Sequence, residues 1–187
     1  MIHIKIGGAA LAFALSVGSV AAIAQTPPPP PPAEARTMAM PYVMAAGMSD
    51  MFEINSSQIA LQKSQNKDVR KYATMLIKHH QMTTAATMKA AKKAGLNPPP
   101  PMLDPNAQPS INELQSASAT DFDRLYIGQQ IPAHQAARDL HGAYASGGDQ
   151  APLRASAKMA VPIVQQHLDA AMKLQTKMSK MSGMSGM

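Results

Sequence analysis

The sequence predicts an all-α fold, a four-helix bundle with a long crossover between its second and third helices. Three observations predict it. Residues 67–94 and 150–178 carry small or apolar side chains at alternating spacings of four and three, the seam of a packed helix. Gly95 with Pro98–Pro101, and later Gly147-Gly148, stand where helical patterns stop. Aromatic residues make up only 4% of the chain while alanine and methionine abound, a composition suited to closely spaced helices.

Residues 1–24 read as a signal peptide. Lys5 supplies a minimal positive start, Ile6–Ile23 is apolar and small, and Ala22-Ile23-Ala24 is an A-x-A cleavage site before Gln25. The expected location is the periplasm or the outer membrane; an uncleaved anchor is the alternative. No other stretch approaches the ~20 apolar residues of a membrane helix. The chain has no cysteine, which excludes disulfides, thiolate ligands and cysteine nucleophiles. Of 17 Lys+Arg, loss of Lys5 leaves 16 against 11 acids, a net charge of +5. That is compatible with an anionic envelope surface. It does not point to nucleic acid, because no aromatics interleave with the basic residues.

Residues 25–40 form a Pro-rich linker, expected to be disordered or extended, since Pro27–Pro32 must adopt polyproline II. The bundle is expected over 41–178. Its first helix starts at Pro41, a favoured first-turn residue, and runs to about Gln65. Small residues (Ala46, Ser49, Ser57, Ala60, Ser64) share the face of Glu53. The second helix carries the cleanest seam: Val69, Ala73, Leu76, His80, Thr83, Thr87, Ala90 and Ala94, with six lysines on the opposite side. His80 is thus in the seam, and His79 lies about 100° away and is expected to be exposed.

From Leu96 to about Ala117 the chain is a connection in which Ser110-Ile-Asn-Glu113 is a capping box for a short helix. Extended, it could span ~65 Å, enough for the crossover of a ferritin-like bundle. The third helix follows Ser118-Ala-Thr-Asp121 and carries His134 and His141, the latter also expected to be exposed. Pro132 predicts a kink two residues before His134. The fourth helix runs from about Gln150 to Met178, with Leu153, Ala157, Ala160, Val164, His167, Ala171 and Leu174 in its seam and Pro162 inside it. Residues 179–187 read as a disordered Met/Gly/Ser tail.

Glu53 lies 13 residues before Asn66 and His80 lies 14 after it, so closure of the first hairpin there sets acid and imidazole at one height. His134 and His167 flank Gly147-Gly148 in the same manner. Glu53, His80, His134 and His167 are therefore expected to share one core layer. Imidazole and carboxylate suit one transition metal ion: zinc, copper, iron or nickel. Four ligands close a tetrahedral site; three leave a position open if Glu53 stands behind them. The same residues could instead form a buried polar network that fixes register, making the chain a non-catalytic envelope or stress protein. A third reading gives copper(I) to the methionines of residues 38–51 and 178–187. Di-iron chemistry is disfavoured. After residue 24 the glutamates are Glu34, Glu53 and Glu113, and Ile77, Ile131 and Val164 stand where Glu-x-x-His would need acids. Phosphate loops, G-x-S-x-G and H-E-x-x-H are absent, so no catalytic residue is expected.

Several runs resemble a known family: Tyr42-Val-Met-Ala-Ala, Phe52-Glu-Ile, Val69-Arg-Lys-Tyr-Ala73 through His80, Asp121-Phe-Asp-Arg-Leu-Tyr126 with His134, and Val161-Pro-Ile with His167-Leu. Together they look like domain of unknown function 4142, an exported bacterial domain. The resemblance implies a ferritin-like four-helix bundle in the periplasm or outer membrane, without a settled activity. It places the family's characteristic positions on Glu53, His80, His134 and His167. His79 departs from the family, which usually shows an acid there.

Overall fold

The alternating seam of the second helix closes as its spacing requires. In the computed structural model, which describes residues 26–184, Val69, Ala73, Leu76, His80, Thr83 and Thr87 are all buried. At its far end the buried position moves from Ala90 to Ala91, because a straight helix of 3.6 residues per turn drifts off a strict heptad. The signal-peptide residues 1–24 and the last three residues of the tail lie outside the described residues.

Among the described residues five α-helices form: α1 (Ala39–Lys63), α2 (Lys67–Lys93), α3 (Gln108–Ser116), α4 (Phe122–Gly147) and α5 (Ala151–Met184). Four make the bundle, and the short α3 lies within the crossover and packs on α1 and α4. Around the bundle the order is α1, α2, α5, α4. Tyr42 near the start of α1 meets His141 late in α4, and Ser57 late in α1 meets Tyr126 early in α4. Lys177 near the end of α5 reaches Asp68 at the start of α2. All neighbouring pairs are thus antiparallel, while α2 and α4 run the same way. The connection between α2 and α4 must travel the length of the bundle, the ferritin-like topology.

Local chemistry sets the helix ends. Asn66 caps α2 by accepting from the Asp68 amide at 3.0 Å. Gly95 ends it at φ +77°, with the Leu96 amide bonded to the Ala91 carbonyl at 2.9 Å. Ser118 and Asp121 exchange hydrogen bonds before α4, as the sequence predicts. The expected box at Ser110 does not form. Its hydroxyl donates to the Thr26 carbonyl, Glu113 accepts from the Gln129 side chain, and α3 starts earlier, with a proline in its first turn. That tie at Thr26 also holds the segment before the bundle. Pro28–Pro32 form no helix and line one pocket with Met48, Phe52, Ala133 and Ala137. α4 continues through Pro132, and α5 continues through Pro162 and past Met178 to Met184.

The interior is not uniform along the bundle axis. One apolar cluster holds Phe52, Leu76, Leu114, Phe122, Tyr126 and Ile127. A second, at the opposite end, holds Ala35, Tyr42, Val43, Leu140, Tyr144 and Leu153. Between them lies a buried polar layer: Asp50, Glu53, Thr83, Gln130 and four histidines. Burying one large apolar side chain stabilises by ~1.5–3 kcal/mol. A polar layer across the core forgoes that gain and stands only if its groups find partners.

Candidate metal centre

His80, His134 and His167 are each at most 2% exposed and project from α2, α4 and α5 into the layer. Their ring centroids lie 5.6, 5.0 and 5.2 Å apart pairwise. One ring nitrogen from each falls within 4.8 Å of the other two. The three predicted histidines therefore do meet.

Each ring commits one nitrogen to a neighbour. His80 Nδ1 is 2.7 Å from Asp50 Oδ1. His134 Nδ1 is 2.8 Å from the Gln130 carbonyl, and His167 Nε2 is 2.9 Å from His79 Nδ1. A carbonyl or a carboxylate can only accept, so His80 and His134 donate from Nδ1, and in the neutral ring Nε2 then keeps a lone pair. If His167 donates to His79, its Nδ1 keeps one too. His80 Nε2, His134 Nε2 and His167 Nδ1 are the buried ring nitrogens with no hydrogen-bond partner among the described residues. Fixing the far nitrogen of an imidazole so that the near one faces a cation is how metal-binding histidines are oriented.

Electrostatics agree with neutral His134 and His167. Burial, then His80, pushes His134 down to about 3. Burial, then His80, His134 and His79, pushes His167 down to about 2. Neutral imidazole is the ligand form.

Glu53 is fully buried but stands apart from the trio. Its Oε1 is 3.7 Å from His134 Nδ1, the nitrogen that faces Gln130, and among the described residues neither carboxylate oxygen has a hydrogen-bond partner. Burial, then the nearby Asp50, raises its pKa well above the usual carboxylate range. An unpartnered buried carboxyl is tolerated when protonated or when a cation lies close by. Tyr72 and Tyr126 are raised by burial first and by Glu53 in a smaller part.

Three participants escaped the sequence reading. Asp50 is one helical turn before Glu53, about 60° round the α1 axis. It leans to α2, where His80, Thr83 and Thr84 all donate to it, and Glu53 leans to α4. Its signal was an Asp-x-x-Glu pair on one flank. His79, expected to be exposed, is half-buried and bonded to His167. His141, also expected to be exposed, is buried with Nδ1 2.9 Å from the Tyr42 hydroxyl. Its stripe partners on α4, Gln130 and Tyr144, were the overlooked signal. The other glutamates among the described residues lie outside the layer: Glu34 is exposed, and Glu113 is on α3.

Fold and layer together define an all-α, ferritin-like bundle protein with a buried histidine cluster at its centre. The chain belongs to the family described as domain of unknown function DUF4142, whose profile matches residues 24–174. Among solved structures it is similar to one described as "CopM in the Cu(II)-bound form", at 16% identity and a TM-score of 0.64. That match covers 75% of this chain and 97% of the other, and it is a likeness of fold. No curated protein matches the chain.

Proposed function

We propose that this protein binds one transition metal ion in its core, through His80, His134 and His167, and works in the cell envelope after loss of residues 1–24. The observation that carries the reading is the set of three buried imidazoles with one nitrogen of each within 4.8 Å of the others, each ring having one nitrogen committed to a neighbour and one without a partner among the described residues. Asp50 and His79 orient the ligands, and Glu53 is the carboxyl beside the site that a cation would ionise. A polar network alone would leave Glu53 and the three imidazoles without hydrogen-bond partners among the described residues, at a cost of ~1–3 kcal/mol each.

Imidazole donors without thiolate suit copper(II) and zinc. Copper(II) is the first ion to test, because a protein of similar fold is described in a Cu(II)-bound form. The ion would be held or handed on; nothing in the layer marks a substrate. Elemental analysis of untagged protein, repeated on His80→Ala and His167→Ala, tests the reading. Bound metal in the wild type and its loss in both variants is the expected result. A metal-free wild type after exposure to copper(II) and zinc, or variants that keep the metal, would sink it in favour of the architectural reading.

A further inference from the structure

At the end of the bundle opposite the α1–α2 turn, four methionines surround one small pocket. Met44 and Met48 stand one turn apart on α1, Met88 comes from the late turns of α2, and Met102 follows Pro98–Pro101 in the crossover. Val43 and those four prolines complete the lining. Among the described residues no carboxylate, imidazole, amine or hydroxyl side chain belongs to it, so a hard cation or an anion finds no side-chain ligand there.

Methionine is ordinarily interior filler, chosen because it adapts to irregular gaps. That role does not fit Met44 and Met102, although Met88 packs against the apolar cluster at this end. Met44 is 41% exposed and Met102 57%, so neither fills a core gap, while Met48 and Met88 are half-buried beside them. The frame around them is stiff. A Cβ at Gly47 would stand 3.2 Å from Pro101 Cβ, so glycine at this position lets the proline run close onto α1. That contact brings Met102 to the pair on α1. Two thioethers at i and i+4 share one helix face, and unbranched side chains can swing together onto a common ion.

We propose that Met44, Met48, Met88 and Met102 form a thioether site for a soft monovalent cation, copper(I) or silver(I), separate from the histidine centre. Thioethers select such ions, and the chain holds no cysteine to compete. The step is binding alone, with no change of oxidation state.

Silver(I), which is redox-inert, is the probe, added to the full untagged chain carrying 13C-methyl methionine. It is expected to shift the methyl signals of these four residues, and His80→Ala is expected to leave that response intact. The Met44→Leu/Met88→Leu/Met102→Leu variant, close in volume to the wild type, is expected to lose the ion while keeping its helical signal and its histidine-bound metal. Met102→Leu alone, at a mostly exposed position, covers the case in which the triple variant does not fold, and is expected to weaken silver binding. Shifts confined to the methionines of residues 178–187, or unchanged binding in Met102→Leu and the triple variant, would overturn the site. So would loss of binding in His80→Ala. Copper(II) and zinc at the histidines are read out separately, so either proposal can fail alone.

Discussion

Asp50 Oδ1 and His80 Nδ1 are 2.7 Å apart across the α1–α2 interface, both nearly free of solvent. Thr83 and Thr84 also donate to Asp50, so the carboxylate is held from three side chains and cannot turn away. The pair fixes the His80 tautomer and joins the first hairpin to the centre of the bundle. Replacing Asp50 with Asn keeps the shape and removes the charge. Metal affinity is expected to fall by about 10–100-fold, the usual loss when such an orienting partner is changed. A competition titration against a chromophoric chelator measures it, and unchanged affinity would detach Asp50 from the site.

Glu53 gives the metal-free protein a pH dependence of unusual sign. Its folded pKa is raised, so the folded state keeps a proton that the unfolded chain releases above about 4.5. Its contribution is full below that value and is lost as pH rises toward the folded pKa, by up to about 1.4 kcal/mol per pH unit. Glu53→Gln removes this loss. Urea unfolding of chelator-treated protein between pH 5 and 9 is expected to show the variant gaining on the wild type as pH rises. Parallel profiles would show that Glu53 is already ionised and compensated.

His141 acts in the opposite sense. Burial pushes its folded pKa down to about 4, so the unfolded chain takes up the proton first. Its stability contribution is present above about pH 6.5 and is lost as pH falls from there to about 4. Tyr42→Phe leaves His141 Nδ1 without its partner and is expected to cost ~1–3 kcal/mol at neutral pH. Thermal melts of both proteins at pH 7 and 5 check the cost and the acid trend together.

Gly148 is fixed by a neighbouring ring. A Cβ there would stand 2.4 Å from Tyr144 Cε1, and Tyr144 is stacked on Tyr42 with centroids 3.9 Å apart. Gly148→Ala must displace that ring and is expected to destabilise by ~1–3 kcal/mol, as overpacking generally does. A denaturant midpoint equal to the wild type would mean the ring moves freely.

Bound metal should stabilise by mass action. At a free concentration of about 100 times Kd the gain is ~2.7 kcal/mol. The melting temperature is expected to rise with copper(II) in the wild type and stay level in His134→Ala. A rise in both would place the ion elsewhere.

The bundle was legible because periodicity reports burial directly: the α2 seam from Val69 to Thr87 is read from spacing alone and is buried along its length. The crossover was legible because Gly95 and Pro98–Pro101 forbid α2 from continuing. Meeting of the three histidines followed from their mid-helix positions, which stay level in any antiparallel bundle. The flanking partners were not legible. Whether Asp50 or Glu53 faces His80 turns on about 60° of rotation, which residue spacing does not resolve. His79 lay off the α2 seam, but α5 packs beside that edge and brings His167 to it. The Pro27–Pro32 segment read as free linker because its tie, Thr26 to Ser110 and Glu113, joins residues more than 80 positions apart.

The polar layer that splits the interior has a further consequence for cooperativity. Each of the four long helices threads two dry blocks, and each block alone is too small a core to stand securely. Their joint is a plane of imidazoles and carboxyls, where opening admits water to groups that want it. The natural fault line of the bundle is therefore transverse, through the middle of every helix, rather than lengthwise between hairpins. An ion seated in that plane would act as a rivet, so that the two ends exchange their amide hydrogens as a single unit.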